Sequence, residues 1–548
     1  MRKKTLFGIG FIILLGGFIS LNLFYFYKPL IEKDLVFSSE ITEVDHHYLV
    51  LSDSSIVFSA NKDSVYRLTM YNKDSLKEFR QENISVFSPL LVNNTISGLS
   101  DNNGDEQFKI DPCLSNKYLK GEFIERAYSF NNGNYLILEL KGNGNTIFIN
   151  LLNEEKIELS NLHGKLNGVA FEEMDNFLII SSGELLVRYD IKNNSLSYMA
   201  TTIKGEKLNP FIYKNKLYFT NNYYSEYFSV YQLDMNDNKS KPIVFHDSSN
   251  DVRLPKYKDG YLYYIEIINS EYLLKRKNIK NNTIESLTKK GVVYNYDFFA
   301  SNNLVISYSD FFTPRCIATF NINDKTIKNI SGNSIDMSST YYFHSKTQYL
   351  SPAYEFIPAI AQDIKGTVLF IHPGLHLDFS PRWDTVLMTL VENGYRIFAP
   401  NYPMSAGYGK NHFSSEPKAA VLDILKWKKY LLEKYNNESL YLLTSSSGNL
   451  LMESILEIDN EDITSSASLF GLSGIRPQEK TLYVLGKKDS RVNFDKRYSQ
   501  LKEYQTRSND LVIAAYNNEG HWLRNIKNTK DALLKIINYF GETSCSWY

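Results

Sequence analysis

Residues 440–451 read LYLLTSSSGNLL: an apolar strand, a corner of small residues, then the start of an apolar helix pattern. A strand–turn–helix corner of this kind places the hydroxyl of its central serine, here Ser446, on a sharp turn that faces substrate. Gly448, two residues later, lets the helix pack closely against the strand. The stretch therefore predicts a nucleophile elbow with Ser446 as the nucleophile.

Two later residues complete a candidate catalytic triad. Of the nine histidines, His521 alone follows Ser446, and Asp489 lies between the two, at the end of the apolar strand predicted over 481–485. The chain order Ser, Asp, His belongs to the α/β-hydrolase arrangement. Asp495 is a second candidate for the carboxylate, although no apolar strand precedes it. The pattern predicts a serine hydrolase.

The predicted roles follow from the chemistry of acyl transfer. Ser446 is a weak nucleophile that needs a base, and His521 would accept its proton and later protonate the leaving group. Asp489 would fix the imidazole tautomer and stabilise its charged form. The oxyanion needs fixed N–H donors, which we expect from the backbone of Ser447 and of Gly374, in the loop after the first predicted strand.

Strands alternate with helices from residue 367 onward. The predicted strands cover 367–372, 395–399, 440–443, 467–472, 481–485 and 510–514, and the predicted helices cover 385–392, 419–434 and 529–540. This alternation indicates a mostly parallel sheet covered on both faces, with function gathered at the carboxyl ends of its strands. His372, Ser446, Asp489 and His521 all follow predicted strand ends. We therefore predict an α/β-hydrolase domain over residues 340–542.

A strand–turn–strand unit recurs between residues 35 and 335. The last apolar residues before the turns are Met70, Ile110, Leu152, Ile191, Met235, Ile279 and Ile322, and neighbours in this series are 39 to 44 residues apart. We call these seven residues the turn anchors. A near-constant period with this content is typical of β-propeller blades, whereas a sandwich gives irregular spacing. The anchors predict an all-β seven-bladed propeller, with the Ile110 unit as the weakest match.

The amino terminus predicts a membrane anchor. Arg2, Lys3 and Lys4 precede a nearly continuous apolar run from Leu6 to Tyr27. A run of this length crosses a bilayer core, and the basic side stays in the cytoplasm. We expect a single transmembrane helix at 5–27 in the cytoplasmic membrane, with the remaining domains extracytoplasmic. A cleaved signal peptide is the alternative.

Composition limits the remaining function classes. A net charge of −1 and a pI near 6.8 give no reason to expect a nucleic-acid partner. The three cysteines are widely spaced without a CxxC pair, so they predict neither a zinc site nor a disulfide framework. We expect no cofactor and no metal, and the oligomeric state stays open.

Several segments resemble the prolyl oligopeptidase family of serine peptidases. Residues 370–374 (FIHPG) are similar to that family's HGGP loop, and residues 399–409 (APNYPMSAGYG) to its PNYRGSxGYG segment. Residues 488–492 (KDSRV) and 519–521 (EGH) also match. The resemblance is specific over 367–525 and only architectural across the propeller. It implies cleavage of short peptides by acyl transfer, in a chamber that the propeller closes to folded proteins.

The sequence also departs from that family's pattern. Thr444 replaces the first glycine of GxSxG, Asn449 replaces a following glycine, and Pro373 breaks the HGG pair. The chain between residues 472 and 481 is too short for the helical excursion that family members carry there. Proline specificity is therefore not supported. Two alternatives remain, namely an esterase or other acyl hydrolase with the same triad, and a catalytically weakened binding protein.

Overall fold

The structure, a computed structural model, describes residues 44–541 with short gaps. The gaps are residues 53, 63–64, 73–74, 79–83, 102–106, 111–113, 120–121, 142–143, 164, 174–175, 237–240, 301, 332–339, 346–350, 359–363, 437, 473–476, 479 and 508–509. The predicted membrane segment at 5–27 lies outside the described residues. Within them, no helix is long and apolar enough to span a bilayer.

The described strands between residues 44 and 329 form seven successive antiparallel groups of consecutive strands, which we call sheets. The last two of them join into one eight-stranded sheet through a single parallel pairing of Tyr272 with Val292. The first three sheets are β1 (Val44–Ser52), β2 (Ser55–Lys62), β3 (Val65–Asn72) and β4 (Ser75–Glu78); β5 (Ser85–Val92) and β6 (Thr95–Asp101); and β7 (Ile124–Phe130), β8 (Tyr135–Leu140), β9 (Asn145–Asn150) and β10 (Glu155–His163). The next two are β11 (Leu166–Glu172), β12 (Phe177–Ser182), β13 (Leu185–Asp190) and β14 (Ser195–Tyr198); and β15 (Leu208–Tyr213), β16 (Lys216–Asn221), β17 (Ser229–Asp234) and β18 (Ile243–His246). The last two are β19 (Asp251–Lys258), β20 (Tyr261–Ile268), β21 (Glu271–Asn278) and β22 (Ile284–Ser286); and β23 (Val292–Phe299), β24 (Asn303–Asp310), β25 (Thr313–Asn321) and β26 (Ile327–Asn329).

The turn anchors mark equivalent positions in these sheets. In the six sheets with four described strands, each anchor lies in the third strand or within two residues after it. The following turn often ends in a residue with positive φ, as at Glu154, Asn194, Asn282 and Lys325. Asparagine tolerates this conformation better than most residues, which explains the asparagine-rich turns. The Ile110 unit is the exception, because its sheet has two described strands, extended by an isolated bridge from Ser100 to Lys109.

The first and last sheets pack against each other and close the ring. Val44, Ile56 and Phe58 of the first sheet share a hydrophobic cluster with Leu304 and Ile306 of the last. Because each sheet uses only neighbouring segments of chain, closure among the described strands depends on this side-chain packing.

The second domain is built on one sheet of eight described strands. Their order is β27-β28-β30-β29-β31-β32-β33-β34, where the β27–β28 and β28–β30 pairs are antiparallel and the others parallel. The strands are β27 (Thr340–Ser345), β28 (Ala353–Pro358), β29 (Gly366–Ile371), β30 (Tyr395–Pro400), β31 (Leu440–Ser445), β32 (Ile463–Leu469), β33 (Thr481–Gly486) and β34 (Leu511–Tyr516). The described helices are α1 (Thr385–Glu392), α2 (Lys410–Phe413), α3 (Pro417–Lys434), α4 (Gly448–Ile458), α5 (Phe494–Gln505) and α6 (Ile526–Gly541).

Helices cover both faces of this sheet. On one face, Val368 and other sheet residues pack with Leu387 of α1 and Ile536 of α6. On the other face, Leu369 packs with Trp427 of α3 and further residues of α3 and α4. Successive residues of β29 therefore alternate between two cores, as the alternating side chains of a strand require. The predicted propeller followed by an α/β-hydrolase domain is confirmed.

One predicted strand is displaced. The sequence predicts a strand over 467–472, but β32 covers Ile463–Leu469, because Phe470 adopts a positive φ of 51° and ends it. The early part of β32 was missed because it is rich in serine. Ser466 is nevertheless buried, where its hydroxyl lies 2.6 Å from that of Thr481. A buried hydroxyl with a partner is compatible with a central strand.

Candidate active site

Ser446 lies at a strained corner between β31 and α4. Its φ is 52°, a left-handed conformation that costs free energy for a residue with a side chain. Two backbone hydrogen bonds hold the corner: Ser446 N–H donates to Leu469 O at 2.8 Å, and Ser446 O accepts from Leu472 N–H at 3.1 Å. The end of β32 therefore fixes the serine backbone in the conformation of a nucleophile elbow.

The corner requires a glycine at position 448. A Cβ on Gly448 would lie 2.3 Å from Thr444 Oγ1 and 2.8 Å from Ile371 O, which are distances of severe overlap. Thr444, which departs from the family's glycine, is accommodated by donating its hydroxyl to Ile371 O at 3.1 Å. The helix therefore packs closely on the strands as predicted.

His521 lies within hydrogen-bonding distance of both of the other predicted triad residues. His521 Nε2 is 2.8 Å from Ser446 Oγ, and His521 Nδ1 is 2.8 Å from Asp489 Oδ2. The second carboxylate oxygen of Asp489 accepts from the N–H groups of Arg491 and Val492 at 2.8 and 2.9 Å. These bonds fix the carboxylate while leaving Oδ2 to the imidazole.

Burial and position distinguish Asp489 from the other carboxylate candidate. The side chains of Asp489 and His521 are 4% and 1% exposed, which strengthens their hydrogen bond by excluding water. Asp495 instead lies exposed in the first turn of α5. The structure therefore brings Asp489, and not Asp495, to His521.

The loop that carries His521 is held by Glu519, a residue to which the sequence assigned no role. Its buried carboxylate accepts from the N–H groups of Arg524 and Asn525 at 2.8 and 3.1 Å and from Asn528 Nδ2 at 2.6 Å. Its carbonyl accepts from Lys488 N–H at 2.9 Å, next to the catalytic carboxylate candidate. Glu519 therefore ties the histidine loop to the aspartate loop and to the start of α6. In the sequence, the signal for this positioning role was an acidic residue two positions before the histidine.

The two predicted oxyanion donors are also neighbours. The backbone N–H of Gly374 donates to Ser447 Oγ at 2.8 Å, so this N–H is engaged by a hydroxyl beside the nucleophile. Gly374 has a φ of 67°, and a Cβ there would overlap the side chain of Leu377 at 2.6 Å. The loop conformation therefore depends on glycine at this position.

His372 anchors the same loop as a neutral imidazole. Its Nε2 is 2.8 Å from Ser405 Oγ, and its ring stacks on Tyr402 with centroids 4.2 Å apart. Burial lowers the pKa of His372 to about 3, so the ring carries no charge at neutral pH. His372 therefore positions the loop and does not act as an acid or base.

Asn449, the other residue of the elbow that differs from the family's pattern, links the nucleophile to a buried ion pair. Its Nδ2 donates at 2.8 Å both to Leu472 O and to Glu453 Oε1. Glu453 Oε1 also accepts from Arg497 Nη2 at 2.7 Å, and both of these charged side chains are almost fully buried. Arg497 lies on α5, directly after the Asp489 loop. The network therefore connects the helix that follows the carboxylate to the corner that carries Ser446.

Side chains of the propeller contact both of the loops that carry Asp489 and His521. Arg524 Nη1 donates to Asp101 Oδ2 at 2.7 Å, and Lys141 Nζ donates to Ser490 Oγ at 3.0 Å. Other contacts also join the domains, including the bond from Tyr354 OH to Asn269 O at 2.7 Å. The candidate site therefore lies at the interface of the two domains.

Comparisons with known proteins give matches among solved structures. No family model matches the sequence, and no curated protein matches it. A Mycobacterium tuberculosis puromycin-hydrolyzing peptidase has a TM-score of 0.74 at 11% identity, over 94% of this chain and 96% of that one. Prolyl oligopeptidase B from Galerina marginata has a TM-score of 0.75 at 11% identity, over 93% and 91%. Oligopeptidase B from Leishmania major has a TM-score of 0.72 at 10% identity, over 94% and 90%.

The chain has the prolyl oligopeptidase fold. The match extends over both domains, so the resemblance that the sequence carries mainly in residues 367–525 is confirmed for the whole architecture. At this low identity the likeness shows the fold alone. The chemistry must therefore be argued from the residues found at the interface of the two domains.

Proposed function

We propose that the protein is a serine peptidase that hydrolyses short peptides through an acyl-enzyme on Ser446. The observation that carries the proposal is the pair of 2.8 Å contacts from His521 to Ser446 Oγ and to Asp489 Oδ2. A hydroxyl, an imidazole and a buried carboxylate in this order form the arrangement that activates a serine for acyl transfer.

The reaction follows from these contacts. His521 Nε2 accepts the proton of Ser446 as the hydroxyl oxygen attacks the peptide carbonyl, and the imidazolium is stabilised by Asp489. The backbone N–H of Ser447 stabilises the oxyanion, together with the N–H of Gly374 once it exchanges its bond to Ser447 Oγ for one to the oxyanion. The imidazolium then donates its proton to the leaving amine, and the acyl group stays on Ser446. Water, deprotonated by His521, hydrolyses the ester and restores the enzyme.

The position of the site supports peptides over proteins as substrates. Both the aspartate loop and the histidine loop contact propeller residues, namely Lys141 and Asp101. A substrate must therefore enter the space between the domains, which a folded protein cannot do without separating them. Short, flexible peptides meet this requirement.

Membrane attachment belongs to the same proposal. The apolar run at 6–27, preceded by basic residues, supports a tether in the cytoplasmic membrane with the peptidase outside the cytoplasm. Fractionation of cells that produce the full chain tests this directly. Recovery of the intact chain in the membrane fraction, accessible to protease added outside, supports the tether, whereas recovery in the soluble cytoplasmic fraction contradicts it.

Hydrolysis of matched peptides and esters tests the activity. We expect a mixed peptide library to be cleaved by the wild-type protein, and Ser446→Ala to reduce turnover by roughly a million-fold. Ser454→Ala is a matched control, since the hydroxyl of Ser454 is bonded within α4 to Leu450 O. Cleavage of esters but of no peptide would instead identify an esterase.

A further inference from the structure

Three arginines lie together where the propeller meets the hydrolase domain. Arg253 is in β19, Arg315 is in β25, and Arg382 is in the loop between β29 and α1 that also carries Gly374. We call these three residues the arginine cluster. Side chains of both domains therefore meet in this cluster.

Aromatic side chains and one carboxylate connect its members. The Arg253 guanidinium lies 5.6 Å from the ring centre of Tyr272, whose hydroxyl donates to Asp378 at 3.0 Å. Asp378 precedes Arg382 by four residues in the same loop. Burial and the charge of Arg315 lower the pKa of Arg382, whereas electrostatic interactions with Tyr294, Asp378 and Asp384 raise it by more, so the net pKa is raised. These groups are therefore close enough to share one electrostatic environment.

Two guanidinium groups of the arginine cluster have no ionic partner. In the part of the chain that the structure describes, neither Arg253 nor Arg382 forms an ion pair, and Arg253 Nε is buried without a hydrogen-bond acceptor. Both side chains are nevertheless only half-buried. Part of each residue therefore retains surface that a ligand can reach.

The nearby carboxylates each accept a hydrogen bond from another donor, although Asp378 Oδ2 is buried without a hydrogen-bond partner among the described residues. Asp378 accepts from Tyr272, Asp251 from the N–H of Phe228 at 2.8 Å, and Asp384 from the N–H of Leu387 at 3.1 Å. They moderate the positive charge without occupying the donor groups of Arg253 and Arg382. The guanidinium N–H groups therefore remain available to an acceptor from outside the chain.

Further positive charge surrounds this space. Burial and the charges of Arg126 and Arg253 lower the pKa of Lys165, and the charges of Glu206 and Glu139 offset part of this shift; Lys165 forms no ion pair among the described residues. The charge of Arg382 also contributes to the lowered pKa of His372, after burial as the main cause. The positive region thus extends from the propeller to the loop that carries the predicted oxyanion donor.

We infer that the arginine cluster binds a carboxylate of the peptide substrate, at a distance from the scissile bond. A guanidinium offers a planar fork of N–H donors that matches a carboxylate in two parallel hydrogen bonds. The inference rests on the proposed peptidase function, because it assigns a substrate class to the same site. Two sources supply this chemistry, namely a free carboxyl terminus and an acidic side chain.

Two pairs of matched peptides separate these sources. One pair differs only in a free or amidated carboxyl terminus, and the other only in Glu or Gln at one position with the terminus amidated. For the wild-type protein we expect kcat/KM to favour the carboxylate member of one or both pairs by about tenfold or more, and less so at high salt. A preference within the first pair identifies the terminus, and one within the second identifies the side chain. Equal rates within both pairs would overturn the inference.

For the variants, the readout is the ratio of kcat/KM between the two peptides of each pair. Arg253→Gln and Arg382→Gln should bring the ratio close to one, whereas Arg253→Lys should keep part of it because the charge remains. Arg507→Gln is the control, since Arg507 is exposed just after the end of α5 and is paired with Glu503. The two variants lie in different domains, so a folding failure of one leaves the other as a test. An unchanged ratio in both glutamine variants would overturn the assignment of the arginine cluster.

Binding without catalysis separates this inference from the proposed function. Ser446→Ala protein and labelled peptides of both pairs are compared by fluorescence anisotropy. Tighter binding of the carboxylate members, lost in Ser446→Ala/Arg253→Gln, supports the cluster even if the wild-type protein cleaves nothing. Cleavage of all four peptides at equal rates supports the peptidase and contradicts the cluster.

Discussion

Arg524 Nη1 lies 2.7 Å from Asp101 Oδ2, in an ion pair that joins the loop of the catalytic histidine candidate to the second propeller sheet. The Asp101 side chain is fully buried, and the Arg524 guanidinium also lies over the ring of Phe87 at 5.2 Å. Arg524 is three residues from His521 and donates its backbone N–H to Glu519. The conformation of the histidine loop therefore depends on both domains.

Removing this ion pair should reduce kcat more than it changes KM. We expect Arg524→Gln to reduce kcat by about tenfold or more with a smaller change in KM, because the imidazole would be less well oriented toward Ser446. Arg524→Lys, which keeps the charge, should recover part of kcat. Steady-state kinetics on one peptide measures both constants. A kcat equal to that of the wild-type protein would show that the pair does not position the loop.

The buried pair between Arg497 and Glu453 should matter for stability. Arg497→Met leaves a buried carboxylate without its cation, and we expect the free energy of unfolding to fall by about 3–5 kcal/mol. Replacing both residues by Met should recover most of this loss, because neither charge then remains buried. Urea unfolding of the two variants and the wild-type protein provides the comparison. A single variant as stable as the wild-type protein would contradict the account.

Ser447→Ala tests the oxyanion assignment. The Ser447 hydroxyl accepts the N–H of Gly374, whereas the oxyanion should bind to the N–H groups of these two residues. Loss of the hydroxyl leaves both N–H groups in place, so we expect kcat to change by no more than a few-fold. A fall of about 100-fold to 1,000-fold, typical of losing an oxyanion donor, would instead identify the hydroxyl as the donor.

His246, far along the chain from the triad, should make the propeller sensitive to acid. It is 5% exposed, packs against the tilted ring of Tyr264 with centroids 4.6 Å apart, and has no hydrogen-bond partner at Nε2 among the described residues. Burial, with the charge of Lys277, lowers its pKa to about 4, so the unfolded chain binds a proton that the folded chain does not. Stability from this residue is therefore present above the unfolded pKa near 6.5 and is lost as pH falls toward 4, by about 1.4 kcal/mol per pH unit.

We expect His246→Phe to remove this contribution, since phenylalanine can pack against Tyr264 without titrating. Between pH 7.5 and 5 the variant should lose about 2 kcal/mol less unfolding free energy than the wild-type protein. Denaturant unfolding at the two pH values gives the difference, in which other titrating groups cancel. Parallel pH dependence of the two proteins would show that His246 titrates normally in the fold.

Periodic patterns made the fold predictable from the sequence. In the six sheets with four described strands, each turn anchor lies at or before the tight turn that follows the third strand, and this turn recurs from sheet to sheet. Most buried strands of the second domain are continuous apolar runs. The triad candidates could be named because each follows such a strand. Elements without these patterns were missed, including β28 and the polar helix α5, whose buried face is limited to residues such as Leu501 and Arg497.

Contacts between distant segments could not be predicted in the same way. Nothing in the local sequence pairs Arg524 with Asp101, which are 423 residues apart. Glu519 and Asn449 were visible in their motifs, but their partners come from loops and helices elsewhere in the fold. The sequence thus indicated the reacting groups, whereas the groups that position them required the three-dimensional arrangement.

Labelling with a serine-directed fluorophosphonate tests most directly whether Ser446 is an activated nucleophile. We expect the wild-type protein to be labelled at Ser446, labelling to be lost in Ser446→Ala and His521→Ala, and the Ser454→Ala control to be labelled normally. Asp489→Asn should slow labelling by a smaller factor than His521→Ala. A folded wild-type protein that is not labelled, or one labelled equally well without His521, would contradict the account.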